Sequence, residues 1–188
     1  MAVAASAGGL SALTAFLSAL PTDFPVPVVV VQHLHREAPS ALAVILNRRC
    51  AIAVHEAVDG DRLVAATVFV AAPDRHLVVN PDATLSLTTS ELVHFVRPSA
   101  DVLFESAATS YGDRLLAVVL TGAGTDGAAG VRAVKSEGGY VLAQDEATSE
   151  SFGMPAAAIE THLVDKVLPL DEIGPAVVEW ISHLEPAS

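Results

Sequence analysis

The sequence predicts an α/β fold, a doubly wound and mostly parallel sheet flanked by helices, with an antiparallel hairpin at its edge. Residues 25–31 and 115–120 contain apolar runs without a polar face, typical of strands that helices cover on both sides. Glycine-rich turns follow two strands, at residues 6–9 and 121–127, where α/β proteins place their ligands. Helices and strands alternate without a repeat or linker, so we expect a single domain over residues 1–188.

The chain begins with a short apolar strand that ends at Ser6. Apolar residues at helical spacing then predict a helix over residues 10–20. After the first of the two apolar runs, a second helix is predicted to open at Pro39 and Ser40. A brief third strand is predicted over residues 51–54.

The pattern changes to alternation in the middle of the chain. Turn residues separate three short segments, 67–71, 76–79 and 84–88, the last of which alternates polar and apolar side chains. We interpret this region as a β-meander inserted between the parallel units, forming an edge flap outside the core.

The second half returns to alternating helices and strands. Ser99 is a candidate N-cap, with Asp101 in the first turn, for a helix that runs to Gly112. The remaining predicted elements are a strand at 115–120, a helix at 128–136, a strand at 140–143, a short helix at 154–162, a strand at 164–168 and a closing helix from Asp171. Right-handed crossovers would place the carboxyl ends of all parallel strands on one rim of the sheet.

Charge and composition exclude several classes of function. The formal net charge of −12 argues against nucleic acid binding, because phosphate backbones are held by clustered Lys and Arg, and the ten here are scattered. No apolar run is long enough to cross a membrane, so we expect no membrane insertion. Cys50 is the single cysteine, which rules out an intrachain disulfide and fits a reducing cytoplasm.

Ser6, His33 and Asp126 each follow a different apolar strand, so the predicted topology brings them to the same rim. A hydroxyl, an imidazole and a carboxylate in one place form a nucleophilic set. In such a set His33 removes the Ser6 proton, and Asp126 fixes the tautomer of the imidazole and stabilises its cation.

Each of these residues also has a structural interpretation. A serine before a helix is most often an N-cap, and residues 5–9 are alternatively a phosphate cradle. An aspartate after glycines is most often a helix cap, and a lone histidine after a buried strand is more often a structural hydrogen-bonding group than a base. Composition and spacing alone leave these alternatives open.

Six blocks of sequence contain the residues singled out above. They are residues 3–9 (VAASAGG), 30–34 (VVQHL), 71–77 (AAPDRHL), 97–104 (RPSADVLF), 120–130 (LTGAGTDGAAG), and 143–148 (AQDEAT) followed by 152–155 (FGMP). In this order they resemble the catalytic domain of the CheB protein-glutamate methylesterases of bacterial chemotaxis. The resemblance covers nearly the whole chain.

The resemblance implies a serine esterase whose triad falls on Ser6, His33 and Asp126, and it implies neither a cofactor nor a metal. The implied substrates are glutamyl γ-methyl esters on the cytoplasmic helices of methyl-accepting chemoreceptors, hydrolysed to glutamate and methanol. Deamidation of receptor glutamines is a related activity of the family.

Four further residues are expected to serve this chemistry. The backbone amides of Ala7 and of Ala123, in the second glycine-rich turn, are candidate donors to an oxyanion. Arg75 and His76 lie on the predicted flap and are candidate substrate contacts, although a solvated turn is the safer interpretation of both.

The sequence also departs from the family pattern. Family members usually carry an N-terminal receiver domain; we expect none here, so a receiver acting as regulator would be a separate protein. Ala7, Ala123 and Thr125 replace the Thr, Met and Asn common at these places, and Val96 replaces a common His. The alternative from another functional class is a catalytically silent module that binds a receptor or a nucleotide on the same rim.

Overall fold

The computed structural model describes residues 1–33 and 41–184. The predicted start of the second helix, at Pro39 and Ser40, lies outside these residues. The strands are β1 (Ala2–Ala5), β2 (Val28–Gln32), β3 (Ala53–Glu56), β4 (Thr67–Val70), β5 (His76–Val79), β6 (Leu85–Thr88), β7 (Leu116–Val119), β8 (Tyr140–Gln144) and β9 (Lys166–Leu168). The helices are α1 (Gly9–Ser18), α2 (Leu42–Arg49), α3 (Ala100–Tyr111), α4 (Ala128–Ser136), α5 (Gly153–Ile159) and α6 (Leu170–Leu184), with a 3₁₀ turn at Gly112–Arg114 after α3.

The main sheet has seven parallel strands in the order β3-β4-β2-β1-β7-β8-β9. The chain first places β2, β3 and β4 on one side of β1 and then returns to place β7, β8 and β9 on the other. The predicted doubly wound fold is therefore confirmed. In such sheets the ligand crevice lies where the strand order reverses, at the carboxyl end of β1 and its two neighbours.

The hairpin is smaller than the predicted meander. Among the named strands of the described residues, β5 and β6 are the pair that runs antiparallel, and they form a two-stranded sheet of their own. The prediction for residues 67–71 was wrong, because β4 pairs parallel with β2 and β3 inside the main sheet. All four side chains of β4 are buried, including Thr67, as expected of a strand covered on both faces. The brief third strand likewise covers Ala53–Glu56 and not residues 51–54.

Apolar residues cover both faces of the sheet. Val3 and Val30 belong to the core beneath α1 and α6, whereas Ala4 and Val31 belong to the core beneath α3 and α4. This alternation follows from the two-residue period of a strand. None of the helices within the described ranges is long and apolar enough to span a membrane.

Candidate active site

Ser6 and His33 are neighbours across β1 and β2. The parallel register pairs Ala5 with Gln32, and the His33 amide continues the ladder by donating to the Ala5 carbonyl at 3.1 Å. The next residues, Ser6 and His33, therefore lie side by side, at the spacing of adjacent strands, about 4.8 Å. Strand alternation places both on the α3 side of the sheet, in line with Ala4 and Val31.

The structure brings His33 and Asp126 into direct contact. His33 Nε2 lies 2.7 Å from Asp126 Oδ2, and both side chains are largely buried, 12% and 4% exposed. Because Nε2 faces the carboxylate, Nδ1 is the ring nitrogen left to accept a proton from a serine. The Ser6 hydroxyl makes no hydrogen bond to any residue in the described ranges.

Asp126 directly precedes α4, but its carboxylate lies at the N-terminus of α3. Its carboxylate accepts hydrogen bonds from the amides of Ala100 (2.6 Å) and Asp101 (3.1 Å), and from the hydroxyl of Ser99 (2.7 Å). Ser99 was predicted to cap α3, but its side chain makes no capping bond there and donates to Asp126 instead. The catalytic and capping interpretations of Asp126 are thus compatible.

These contacts set the charge of Asp126. Burial of the carboxyl acts to raise its pKa, but hydrogen bonds from His33, the Ala100 amide, Ser99 and the Asp101 amide outweigh burial and lower the pKa below its ordinary value. Asp126 is therefore ionised at neutral pH, and its charge can stabilise an imidazolium on His33.

Asp101 completes a reciprocal arrangement that the sequence did not reveal. Its Oδ1 accepts the amides of Gly127 (2.9 Å) and Gly130 (2.7 Å) at the start of α4. The Asp126 carboxylate thus caps α3, whose first turn contains Asp101, and the Asp101 carboxylate caps α4, which follows Asp126. The sequence shows Asp101 only as an acidic residue in a first helical turn, with no sign that its partners belong to a second helix.

The two predicted oxyanion donors lie on the rim. Ala7 and Ala123 are exposed, and neither amide donates a hydrogen bond to any group in the described part of the chain. The Ala7 N–H belongs to the Ser6–Ala7 peptide group, and that group is oriented because the Ser6 carbonyl accepts hydrogen bonds from Gln32 Nε2 and from the Gly9 amide, each at 2.8 Å. The Ser6 amide in turn donates to the Thr121 carbonyl at 2.9 Å. Both amides are available for an oxyanion, and their role remains a prediction.

Gly122 occupies a position where a larger residue would not fit. A Cβ at this position would collide with Met154 Sδ and lie 2.8 Å from the Ser6 Cβ. The Gly122 carbonyl accepts the Met154 amide at 2.7 Å, and its amide donates to the Ser151 carbonyl at 2.8 Å. The turn after β7 is thereby fixed between Ser6 and the start of α5.

Gln32 is a second residue that sequence reasoning missed. Its side-chain Nε2 donates to the carbonyls of Ser6 (2.8 Å) and His33 (3.0 Å). Gln32 is buried beneath Gly9, whose missing Cβ leaves room for the amide. One side chain therefore holds together the ends of the two strands that supply the hydroxyl and the imidazole.

The two flap residues have different environments. His76 is fully buried; its Nδ1 accepts the Ser99 amide at 3.2 Å, and its Nε2 donates to the Glu91 carbonyl at 2.9 Å. This burial argues against the substrate contact expected of His76 and gives it a supporting position behind Ser99. Arg75 is exposed, and its guanidinium donates to the neighbouring Asp74 carbonyl at 3.0 Å. Substrate contact by Arg75 remains a prediction.

Comparison with known proteins identifies the relatives of this chain. The model of the CheB methylesterase family matches residues 1–177. The chain is 42% identical over 172 residues to a putative protein-glutamate methylesterase/protein-glutamine glutaminase of Leptospira interrogans, covering 92% of this chain and 89% of the relative. It is 48% identical to protein-glutamate methylesterase/protein-glutamine glutaminase 2 of Anaeromyxobacter dehalogenans, over 94% of this chain but 52% of that relative.

A solved structure shows the same fold. The CheB methylesterase catalytic domain of Thermotoga maritima superposes with a TM-score of 0.91 at 36% sequence identity, covering 95% of this chain and 96% of that one. The chain thus matches nearly all of the Leptospira relative and about half the length of the Anaeromyxobacter protein.

Proposed function

Because the chain belongs to the CheB methylesterase family, we propose that it hydrolyses glutamyl γ-methyl esters of chemoreceptors to glutamate and methanol. We also propose deamidation of receptor glutamines, since the relatives are named protein-glutamine glutaminases as well. The observation that carries the proposal is the 2.7 Å contact of His33 with Asp126, with Ser6 next to His33 in the strand register. The silent binding module has no support among these relatives.

The first half of the proposed reaction forms an acyl-enzyme. Ser6 Oγ attacks the ester carbonyl carbon while His33 Nδ1 takes the hydroxyl proton, and Asp126 stabilises the resulting imidazolium. The tetrahedral oxyanion accepts hydrogen bonds from the amides of Ala7 and Ala123, each worth roughly 3 kcal/mol in such sites. The C–O bond to the methoxy group then breaks, and methanol leaves with the proton from His33.

The second half returns the enzyme to its starting state. A water molecule attacks the acyl carbon and gives a proton to His33 Nδ1, and the same two amides hold the second oxyanion. The bond to Ser6 Oγ breaks, the serine recovers its proton from His33, and the glutamate side chain is released. With a glutamine substrate the leaving group is ammonia, and the rest of the sequence is unchanged.

The proposed setting follows from the substrate. The esters lie on cytoplasmic helices of receptors, so we place the enzyme in the cytoplasm. We also propose that a separate receiver-domain protein controls the esterase activity.

Ser6→Ala tests the proposed nucleophile. We expect methanol release from methylated receptor to fall by at least roughly 10³-fold, because no acyl-enzyme can form. The measurement is methanol release by the purified protein and by the variant, with circular dichroism and thermal unfolding to show that the variant is folded. A folded variant that releases methanol at the original rate would remove Ser6 from the mechanism.

A further inference from the structure

Residues 91–97 form a short hairpin, here called the arm, just before the start of α3. Val93 and Val96 pair antiparallel, with backbone hydrogen bonds of 3.2 and 2.9 Å. The two residues between them, His94 and Phe95, have positive φ angles of 48° and 63°. Consecutive non-glycine residues rarely adopt this left-handed conformation, so their surroundings must hold the turn in place.

Three sets of contacts hold the base of the arm. The Arg97 guanidinium donates to the carbonyls of Thr89 (2.9 Å) and Ser90 (2.7 Å). The same group donates two hydrogen bonds to one carboxylate oxygen of Asp74, at 3.0 and 2.8 Å. His76 Nε2 donates to the Glu91 carbonyl at 2.9 Å. The arm is therefore a fixed projection.

The arm is connected to the catalytic acid through its turn. His94 Nε2 lies 3.2 Å from Asp101 Oδ2, and Asp101 is 4% exposed. The Asp101 amide donates to Asp126, which contacts His33. This short chain of contacts places the turn of the arm beside the acid end of the proposed triad.

The arm presents apolar surface at this place. Phe95 is 90% exposed, more than any other large apolar side chain in the described ranges, and Leu92 is 38% exposed. Scattered exposed apolar residues are ordinary, but an aromatic ring held out on a fixed turn next to an active site has the form of a binding anchor. Arg75, also exposed, follows Asp74 at the base of the arm and adds a positive charge.

We propose that the arm binds the receptor helix beside the ester to be cleaved, with Phe95 as the anchor. This inference rests on the proposed function. The partner is an acidic helix, because its demethylated sites are glutamates and the reaction adds one more carboxylate. A protein of net charge −12 repels such a helix overall, so attraction must come from local contacts. An apolar ring and an exposed arginine are the complementary local groups.

The test compares two substrates, methylated receptor fragment and a small glutamyl γ-methyl ester such as N-acetylglutamate γ-methyl ester. In Phe95→Ser, the ratio of kcat/KM for the receptor to that for the small ester should fall about tenfold, because only the receptor reaches the arm. Val58→Ser, at an apolar residue 62% exposed, is the matched control and should leave the ratio unchanged. Thermal unfolding shows whether each variant is folded.

Two outcomes would overturn the proposal for the arm. The first is an unchanged ratio in folded Phe95→Ser; if the variant also dissociates a wild-type dimer, the ring is assigned to contact with a second copy. The second is an equal fall of the ratio in Val58→Ser. Failure of the proposed function is a separate result: the wild type would hydrolyse neither substrate.

Discussion

Two buried carboxylates at the site are held in environments that shift their pKa values in opposite directions. Burial raises the pKa of Asp101, and the charge of Asp126 adds to this, against the opposing effect of the Gly130 and Gly127 amides. For Asp126 the burial effect is outweighed by its hydrogen bonds, with His33 first among them, so that its pKa is lowered. The negative charge is thereby concentrated on the residue that faces the imidazole.

Asp126→Asn tests this residue-scale assignment. Activity should fall roughly 10⁴-fold, because an amide cannot orient and stabilise the imidazolium. The lowered pKa means that ionised Asp126 contributes stability above its unfolded-state pKa of about 3.9, and that this contribution is lost as pH falls through the lowered value. Near neutral pH the variant should lose about 1–3 kcal/mol of unfolding free energy, measured with urea.

Asp101→Asn is the matched control for this measurement. The raised pKa of Asp101 means that its ionisation opposes folding as pH rises through that pKa, so removal of the charge should not destabilise the protein at neutral pH. The amide oxygen can still accept the Gly127 and Gly130 amides. Equal losses of unfolding free energy in Asp126→Asn and Asp101→Asn would contradict the opposite pKa shifts assigned to the two carboxyl groups.

At the scale of elements, the site depends on how closely the turn after β7, the ends of β1 and β2 and the start of α5 approach one another. The turn after β7 passes between Ser6 and α5, and Gly122 is the point of contact. Gln32 holds the ends of β1 and β2 together through two carbonyls. The nucleophile is therefore positioned by packing of strand ends as well as by its own turn.

Gly122→Ala should disturb this packing. The added methyl group collides with Met154 and crowds Ser6, so the unfolding free energy should fall by about 1–3 kcal/mol and activity should fall with it. Gly60→Ala is the control: its φ of +87° strains an alanine, but nothing lies within 4 Å of the new methyl. Urea unfolding and methanol release measure both effects. A Gly122→Ala protein as active as Gly60→Ala would show that the turn can shift without consequence.

At the scale of the whole molecule, the net charge of −12 determines how a substrate is captured. Long-range attraction would favour basic partners, whereas the proposed receptor helices are acidic. We therefore expect capture of the proposed substrate to depend on local contacts and not on the overall field.

Salt dependence tests this conclusion. Raising the ionic strength from about 50 mM to about 300 mM screens the repulsion between two acidic molecules, so kcat/KM for the receptor should stay level or rise. The small ester serves as the control: its only charge is its α-carboxylate, so its kcat/KM should respond far less than that of the receptor. A strong fall for the receptor alone would mean that general electrostatic attraction drives binding.

Sequence by itself determined the doubly wound class and the three residues at strand ends. Apolar runs without a polar face are buried parallel strands, and crossovers of one hand bring the strand ends to one rim. The motif order also pointed to the family that the comparisons later confirmed. The prediction for residues 67–71 was wrong because it grouped them with the alternating segment 84–88, although residues 68–71 are an apolar run and are buried in the sheet.

Only the tertiary structure decided the roles around Asp126. Asp126 caps α3 through the Ala100 amide, Asp101 contacts α4 through the Gly130 amide, and His76 accepts the Ser99 amide. Each of these hydrogen bonds joins residues more than twenty positions apart. A hydrogen bond has no signature in the local sequence when its donor belongs to another helix. Residue pattern reports which face of an element is buried, whereas the partners of a buried polar group depend on how whole elements pack.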